Sequence, residues 1–175
     1  MQHLKCKKGC CSLEILPYKI NKNSYFKQRN SNKKAGVFIY DPNKDKILIV
    51  QSKGNLWGLP KGSVQFQETE RLCAVREVHE ETGLKILEKN FSKAMIIRNR
   101  AIYYYLEKDE CKVEVQRHII DNDANGIGWI SISCLDDLII DGHITLTQHC
   151  RIVFRKFMNK EFPLSSFILV RGKKV

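Results

Sequence analysis

Three glutamates, Glu77, Glu80 and Glu81, are spaced so that they share one face of a helix. They stand at positions i, i+3 and i+4, which are neighbours on a helical surface. Carboxylates this close repel each other, so the cluster favours a site where divalent cations neutralise their charge. A ligand set made only of oxygen suits Mg²⁺ or Mn²⁺ better than zinc. The spacing therefore predicts a site for Mg²⁺ or Mn²⁺.

The residues around these glutamates predict the helix that carries them. It opens with the acidic and capping-type residues 68–70 and ends at Gly83, which stands where a left-handed C-terminal cap belongs. An apolar stripe along this segment comprises Leu72, Val75 and Val78. Gly62 marks the turn before the helix. The alternative is a solvated, salt-bridged helix face, because Glu and Arg at these intervals are commonplace.

The stretch from residue 62 to residue 84 resembles the signature of the Nudix hydrolase family. That signature runs Gly, five residues, Glu, seven residues, then Arg-Glu-apolar-x-Glu-Glu-x-Gly-apolar, and each fixed position is matched here. The matching residues are Gly62, Glu68, Arg76, Glu77, Glu80, Glu81 and Gly83. Members of this family hydrolyse a nucleoside diphosphate linked to another group. The resemblance implies an α/β fold, with a mixed β-sheet sandwiched between helices, over residues 35–160.

The resemblance also implies a role for each signature residue. Glu77, Glu80 and Glu81 are expected to hold the Mg²⁺ or Mn²⁺ ions, which bridge diphosphate oxygens and activate a water for attack on phosphorus. Of these carboxylates, we expect Glu80 to act as the general base. Arg76 is expected to pair with Glu68 and Glu77, which would hold the preceding loop against the helix.

A fourth acidic ligand, from outside the signature, is implied by the same resemblance. It is expected shortly before a strand, which here carries Trp129. Asp123, six residues before this tryptophan, is our first choice, and Asp121 and Glu114 are the alternatives. Glu114 falls in the middle of a predicted strand, where a surface-facing side chain is the simpler interpretation.

The chain carries 30 Lys and Arg against 19 Asp and Glu, a formal charge of +11, which favours a polyanionic substrate or partner such as nucleic acid. No stretch resembles a membrane span. Residues 48–51, 57–62 and 76–83 together look most like the catalytic domain of mRNA-decapping enzymes, which implies capped RNA as substrate and m7GDP as product. Diadenosine-polyphosphate and diphosphoinositol-polyphosphate hydrolases are the alternatives. A compact chain rich in Lys, Asn and Ile is also compatible with a viral origin.

Two further segments are candidates for substrate contacts. Residues 57–62, with Pro60 and two glycines, predict an irregular loop where backbone amides can approach phosphate, and we expect Lys61 to contact a substrate phosphate. Trp57 and the tyrosines at 103–105 are candidates for stacking on a methylated guanine. Alternation along a strand, however, predicts that at least one tyrosine packs in the core, and Trp57 could simply anchor its loop. We assign none of these aromatic residues to the substrate.

A non-catalytic Nudix module is the competing class of protein. Such a module, kept as a nucleotide sensor or an RNA-binding scaffold, would be expected to lose one or more of Glu77, Glu80 and Glu81. All three are present, which favours an enzyme.

The remaining pattern predicts two hairpins, one further strand and two further helices. The hairpin strands are predicted over residues 35–40 and 46–51, and over residues 94–106 and 111–120, with another strand over residues 128–132. Ser133 is expected to cap a helix over residues 134–139, and Thr145 or Thr147 to open a longer one that runs to about residue 159. We expect residues 1–34 to form a basic, irregular N-terminal extension with an edge strand at residues 13–16, and residues 161–175 to form a basic tail.

Seven cysteines, an odd number, favour reducing surroundings, and residues 1–11 lack the layout of a secretory signal. We therefore expect a cytoplasmic protein, in the host cytoplasm if the chain is viral. Three cysteines on apolar or helical positions are expected to be packed thiols: Cys73, Cys134 and Cys150. Cys6, Cys10 and Cys11 form a tighter cluster, but His3 is the only nearby candidate for a fourth zinc ligand, so free thiols are favoured.

Overall fold

The computed structural model describes residues 2–17, 33–52, 55–119 and 122–162. Within these ranges ten strands form one mixed sheet, with three α-helices and a 3₁₀ turn at Glu88–Asn90. The strands are β1 (Gln2–Lys5), β2 (Ser12–Ile15), β3 (Lys34–Asp41), β4 (Lys46–Gln51), β5 (Leu56–Gly58), β6 (Lys61–Ser63), β7 (Lys93–Ile97), β8 (Ala101–Glu107), β9 (Gly126–Ser131) and β10 (Thr145–Leu146). The helices are α1 (Glu70–Thr82), α2 (Ile132–Ile140) and α3 (Gln148–Met158).

The main path through the sheet follows the order β1-β2-β9-β4-β3-β8-β7. β3 runs parallel to β8, whereas the other neighbours on this path are antiparallel. Three short strands lie off the path: β6 pairs with β3, β5 pairs with β4, and β10 pairs in parallel with β5. This topology brings β6 beside the centre of the sheet just before the chain enters α1.

Side chains alternate between the two faces of the sheet, as the geometry of a β-strand requires. Val37 and Ile39 of β3 pack on the same side as Val78 of α1. Phe38, between them, packs on the opposite side with Leu135 of α2 and Phe154 of α3. The mixed sheet is therefore sandwiched between α1 on one face and α2 and α3 on the other, as the resemblance implies.

Helix α1 begins and ends where the sequence predicts. Thr69 is the N-cap, and its Oγ1 accepts the N–H of Leu72 at 3.2 Å. Gly83 closes the helix with φ of 75°, and its N–H donates to the carbonyl of His79 at 2.9 Å. The predicted apolar stripe is wrong for Leu72, which is 50% exposed, because the face turned to the sheet is formed by Cys73, Ala74 and Val78.

The predicted second hairpin is wrong. β7 and β8 pair with each other, and the turn between them contains Arg98 and Asn99 at φ of 49° and 55°. Residues 111–117 carry no strand. The sequence looks continuous because the turn contains neither Gly nor Pro, the residues that mark turns most strongly.

Several boundaries also differ from the predicted ones. Ser131, not Ser133, caps α2, and its Oγ accepts the N–H of Cys134 at 3.3 Å. Of the two caps predicted for α3, Thr147 is the one present, and its Oγ1 accepts the N–H of Cys150 at 3.3 Å. Residues 57–62 include parts of β5 and β6 and are not wholly irregular. No helix in the described ranges is both long and apolar enough to cross a membrane.

Part of the predicted N-terminal extension joins the sheet. β1 and β2 form a hairpin, and β2 pairs with β9, so β2 is an internal strand rather than the predicted edge strand. Gly128 permits this contact, because a Cβ there would lie 2.7 Å from Cδ2 of Leu13 and 2.8 Å from the carbonyl of Ser12. The boundary at residues 34 and 35 stays a prediction, and the predicted tail lies outside the described residues from residue 163 onward.

Candidate active site

Arg76 is the centre of a hydrogen-bond network on α1. Its guanidinium donates to both carboxylate oxygens of Glu68, at 2.7 and 2.9 Å, and to the carbonyl of Ser63 at 3.1 Å. It also donates to Glu77 at 2.6 Å and to Glu80 at 3.0 Å. Burial opposes the charge, but the bonds to Glu68 and the nearby Glu77 raise the pKa of Arg76 above its usual value. The predicted pairing of Arg76 with Glu68 and Glu77 is therefore present, and it ties the loop after β6 to the helix.

Glu77 lies against the backbone of β6, on the space that Gly62 leaves open. Its side chain is almost buried, with 8% of the residue exposed. Steric crowding explains why residue 62 is glycine. The carboxylate of Glu77, which is predicted to bind metal, occupies the space that a side chain at residue 62 would fill.

Glu81 is buried on the same side of α1, with 3% of the residue exposed. Its Oε2 accepts the backbone N–H of Lys61 at 2.9 Å. Burial raises the pKa of Glu81 well above its usual value; the positive charge of Lys61 acts in the other direction, and the negative charges of Glu77 and Asp123 raise it further. Lys61, predicted to contact phosphate, therefore also supports a candidate metal ligand through its backbone.

The three carboxylates share one face of α1, as predicted, but among the described residues they do not form a closed group of ligand atoms. Arg76 holds one oxygen each of Glu77 and Glu80, and the Lys61 amide holds Glu81. A divalent cation fits this donor set. All of its ligands would be oxygens, and a cation would remove the repulsion that Glu81 experiences from its acidic neighbours.

Asp123 lies close enough to Glu81 for its charge to raise the pKa of that residue. The preceding residue, Asn122, fixes the loop: its Nδ2 donates to the carbonyl of Glu80 at 2.6 Å, and its Oδ1 accepts the N–H of Ala124 at 2.9 Å. Of the two alternatives, Glu114 is exposed and lies outside any strand, so the predicted strand position is wrong, while Asp121 lies outside the described residues. The geometry favours Asp123 over Glu114 as the fourth ligand, which stays a prediction.

Asn122 and the pair Tyr103–His149 are neighbours of the site that sequence reasoning missed. The hydroxyl of Tyr103 and Nδ1 of His149 lie 3.1 Å apart. Burial lowers the pKa of His149, and the positive charge of Lys61 lowers it further. Burial raises the pKa of Tyr103, to which the charge of Glu81 also contributes. No spacing rule links a β8 tyrosine to an α3 histidine, so only the packing of α3 on the sheet reveals this pair.

The aromatic residues considered for base stacking are buried. Trp57 is 1% exposed, and Tyr103, Tyr104 and Tyr105 are 1%, 4% and 6% exposed. Tyr103 and Tyr105 pack on the α3 side, and Tyr104 packs on the α1 side against Phe91. The alternation predicted for this strand is confirmed, and these side chains belong to the core.

A basic groove lies beside the segment that leads into α1. Its lining consists of Lys33, Lys34, Glu70, Ile96, Asn99, Arg100, Ala101 and Ile102. Lys34 stands opposite Ser63 in the ladder between β3 and β6, one residue from Gly62. Its positive charge, with that of Arg98, lowers the pKa of His149 after the larger effects of burial and Lys61. The groove therefore lies next to β6, the strand that carries Gly62, and its lining combines three cations and one carboxylate with apolar side chains.

Residues 31–149 match the NUDIX domain family. Protein 111R of Invertebrate iridescent virus 3 is 33% identical over 147 residues, which cover 79% of this chain and 82% of that protein. The chain therefore belongs to the NUDIX domain family and is a Nudix hydrolase.

Two further proteins are similar over part of their length. The m7GpppN-mRNA hydrolase dcap-2 of Caenorhabditis elegans is 33% identical over 114 residues, which cover 61% of this chain but only 14% of that protein. A bifunctional NMN adenylyltransferase/ADP ribose pyrophosphatase of Francisella tularensis, solved with AMP and a manganese ion, has a TM-score of 0.55 at 19% identity. That likeness covers 74% of this chain and 41% of the other and shows the shared fold.

Proposed function

We propose that this Nudix hydrolase removes the cap from RNA and releases m7GDP. The observation that carries the proposal is the basic groove beside the carboxylate site, with Lys34 and Arg100 in its lining. Lys33 also lines this groove and pairs with Glu70 at 3.4 Å. A short dinucleotide needs positive charge only at its phosphates, whereas an RNA chain has a row of phosphates that extends beyond the scissile bond. The similarity to an mRNA hydrolase over 61% of the chain supports the same substrate. We further propose that the enzyme acts in the cytoplasm, in that of the host if the chain is viral.

In this proposal the α1 carboxylates provide the catalytic groups. Glu77, Glu80, Glu81 and Asp123 would hold Mg²⁺ or Mn²⁺, which supplies charge neutralisation of the diphosphate and lowers the pKa of a bound water. Glu80 accepts the proton of the attacking water, and the oxygen of that water forms the new bond to phosphorus as the bond to the leaving phosphate oxygen breaks. Glu80 suits this role because it is more exposed than Glu81, with 22% of its side chain accessible.

Arg76 and Lys61 position these groups. The Arg76 guanidinium keeps Glu77 and Glu80 on the side of α1 that faces β6. The Lys61 amide orients Glu81, and the Lys61 ammonium is available to pair with a substrate phosphate.

A dinucleoside-polyphosphate or diphosphoinositol-polyphosphate hydrolase is the second candidate. The carboxylate site would serve these small substrates equally well, because it recognises the diphosphate and not the groups attached to it. Substitutions in the groove would distinguish RNA from a dinucleoside polyphosphate, because we expect them to weaken cleavage of a long RNA and to have little effect on a small dinucleotide.

The test compares the unmodified protein with Glu80→Gln and with the matched control Glu88→Gln. Glu88 is an exposed glutamate in the 3₁₀ turn. Each protein is incubated with cap-labelled RNA, methylated or unmethylated, and with diadenosine polyphosphates, in Mg²⁺ or Mn²⁺, and the labelled product is identified by chromatography.

We expect the unmodified protein and Glu88→Gln to release m7GDP from RNA, and Glu80→Gln to lose at least about 10²-fold in turnover. Cleavage confined to diadenosine polyphosphates would refute decapping and support the second candidate. RNA binding with no turnover in either metal would mean that the domain is a binding module. Near-normal turnover by Glu80→Gln would remove Glu80 from the role of base.

A further inference from the structure

Four cysteine sulfurs meet where the N-terminal hairpin packs on helix α2. Cys6, Cys10 and Cys11 lie between β1 and β2, and Cys134 lies in the first turn of α2. The Sγ atom of Cys10 is 3.6 Å from that of Cys6, 3.5 Å from that of Cys11 and 3.5 Å from that of Cys134. All four sulfurs lie within 4.8 Å of one another. Cys134, expected to be a packed thiol, thus provides the fourth ligand that the N-terminal segment lacks. It lies 123 positions after Cys11 in the sequence.

The distances match a tetrahedral metal site better than a set of disulfides. With Zn–S bonds of about 2.3 Å, the sulfurs of a tetrahedral Cys₄ site lie about 3.8 Å apart. A disulfide requires about 2.05 Å between sulfurs, and all seven cysteines are free thiols in this structure. The four sulfurs therefore surround one point at the distances from one another that zinc ligands have.

The backbone around the cluster is arranged as a metal-binding turn. Cys6 and Cys10 are separated by three residues, within the spacing common for paired zinc cysteines. Gly9 turns the chain with φ of 70°, and its N–H donates to the carbonyl of Cys6 at 3.0 Å. The N–H of Ser131 donates to Sγ of Cys11 at 3.3 Å, and this bond holds the sulfur in position beside the other three.

Access also suits a metal. The ammonium of Lys46 donates to the carbonyl of Cys10 at 3.1 Å and to both carboxylate oxygens of Glu110 at 2.9 and 3.0 Å, which holds the backbone of Cys10 in place beside the site. Cys6, Cys11 and Cys134 are buried, whereas Cys10 is exposed. Three ligands are therefore shielded from solvent, and the fourth gives the ion a route into the site.

We propose that Cys6, Cys10, Cys11 and Cys134 bind one zinc ion as a structural site. All four coordination positions are filled by protein, so the site has no open position for chemistry. Its role is to clamp the β1–β2 hairpin onto α2. The hairpin is short, with strands of four residues each, and a metal that links it to the helix stabilises it far more than four thiol contacts would. This site is separate from the carboxylate cluster of α1 and does not depend on the proposed substrate.

The test measures metal content and does not use activity. The full-length protein is purified under reducing conditions in excess Mg²⁺, and its zinc is quantified by mass spectrometry of the metal. Cys10→Ser is the main variant, because Cys10 is exposed and the substitution disturbs packing least; Cys134→Ser is the second. Cys111→Ser is the matched control, a partly buried cysteine outside the cluster. Glu77→Gln tests whether any zinc is held by the α1 carboxylates.

We expect about one zinc per chain in the unmodified protein, in Cys111→Ser and in Glu77→Gln, and loss of most of this zinc in both cluster variants. Replacement by Co²⁺ should give the visible absorption of a tetrahedral thiolate site in the first three proteins and not in the cluster variants. A chelator should lower the unfolding temperature of the unmodified protein and have much less effect on Cys10→Ser.

Three outcomes would overturn the proposal. One is no zinc and no cobalt spectrum in the reduced, reconstituted protein. Another is full zinc content in Cys10→Ser and Cys134→Ser. The third is disulfide formation in the cluster. It would appear as a protein mass lower by two hydrogens for each cysteine pair, measured without reductant on protein made in cells with a reducing cytoplasm.

Discussion

The carboxylate of Glu77 occupies the space beside the Cα of Gly62: a Cβ at residue 62 would lie 1.9 Å from Oε1 and 2.0 Å from Cδ of Glu77. The atoms it would meet belong to the end of a flexible side chain. A larger residue at 62 would therefore displace the carboxylate and leave the strand in place.

For this reason we expect Gly62→Ala to separate folding from activity. Its unfolding temperature should stay close to that of the unmodified protein, while kcat should fall by about 10²-fold, the effect typical of a catalytic group displaced by about 1 Å. Thermal unfolding and steady-state kinetics measure the two effects. The double variant with Glu77→Asp, whose shorter side chain relieves the collision, should lose less than the sum of the single losses. Strict additivity would contradict the contact.

We expect Arg76→Lys to destabilise the protein although it retains the charge. Lysine cannot reproduce the two parallel bonds to Glu68 together with those to Glu77 and Glu80. The side chain is 21% exposed, so the loss should be moderate, about 2 kcal/mol in urea unfolding. Arg155→Lys, in an exposed pair with Glu161, is the matched control and should change stability by less than about 0.5 kcal/mol. Equal effects of the two substitutions would contradict the network.

We expect Asp123→Asn to raise the concentration of Mg²⁺ needed for half-maximal activity. Loss of a ligand should weaken metal binding by at least about tenfold, the lower end of the effect known for outer-shell partners. Glu114→Gln is the control, because Glu114 is exposed and is not among the main charges that shift the pKa of Glu81. A metal titration of activity measures both variants. An unchanged curve for Asp123→Asn, with a shifted curve for Glu114→Gln, would transfer the role to Glu114.

We expect Lys34→Ala with Arg100→Ala to weaken RNA cleavage selectively. The double variant should raise KM for capped RNA and have little effect on KM for diadenosine polyphosphates. For RNA, the slope of log KM against log salt concentration should fall by about one for each phosphate that the protein no longer neutralises. Lys5→Ala is the control, an exposed lysine on β1 at the opposite edge of the sheet. A loss that is equal for RNA and for the small nucleotide would place the two cations in the catalytic site and not in an RNA groove.

Asp41 provides a prediction for pH. Its carboxylate is buried and accepts the N–H groups of Glu110, Asn43 and Lys44 at 2.7, 2.9 and 3.2 Å. The bond from Glu110 is the main cause of a lowered pKa, and burial opposes it. A carboxyl with a lowered pKa in the folded state stabilises the fold above its unfolded pKa of about 3.9, and this contribution is lost as the pH falls through the lower folded value.

Asp41→Asn should therefore lower the unfolding temperature at pH 7, because an amide NH₂ would face one of these donors. The difference from the unmodified protein should shrink as the pH falls below about 4. Unfolding curves between pH 7 and pH 3 measure this. Asp109→Asn, whose carboxylate accepts one exposed bond from Asn43, is the control. A constant difference across the range would show that Asp41 contributes by packing and not by charge.

Most of helix α1 could be predicted from the sequence. A cap at Thr69, a left-handed Gly83 and glutamates at helical spacing are local features, since each depends on residues within one or two turns. The same reasoning placed the first hairpin, and for the cap of α3 it left Thr145 and Thr147 as alternatives, of which Thr147 is the N-cap. It failed at the turn after β7, where Arg98 and Asn99 adopt positive φ without a glycine, and at residues 111–117, whose apolar alternation does not produce a strand.

The sequence by itself determined the class of enzyme and the carboxylates of α1, because the signature residues lie on one helix and one adjoining loop. Only the tertiary structure decided which distant residues join them. Asp123 approaches Glu81 because Asn122 fixes its loop on the end of α1, and Cys134 meets Cys10 because β2 pairs with β9, which leads directly into α2. Contacts of this kind depend on how strands pair and helices pack, and residues more than a hundred positions apart carry no local sign of them.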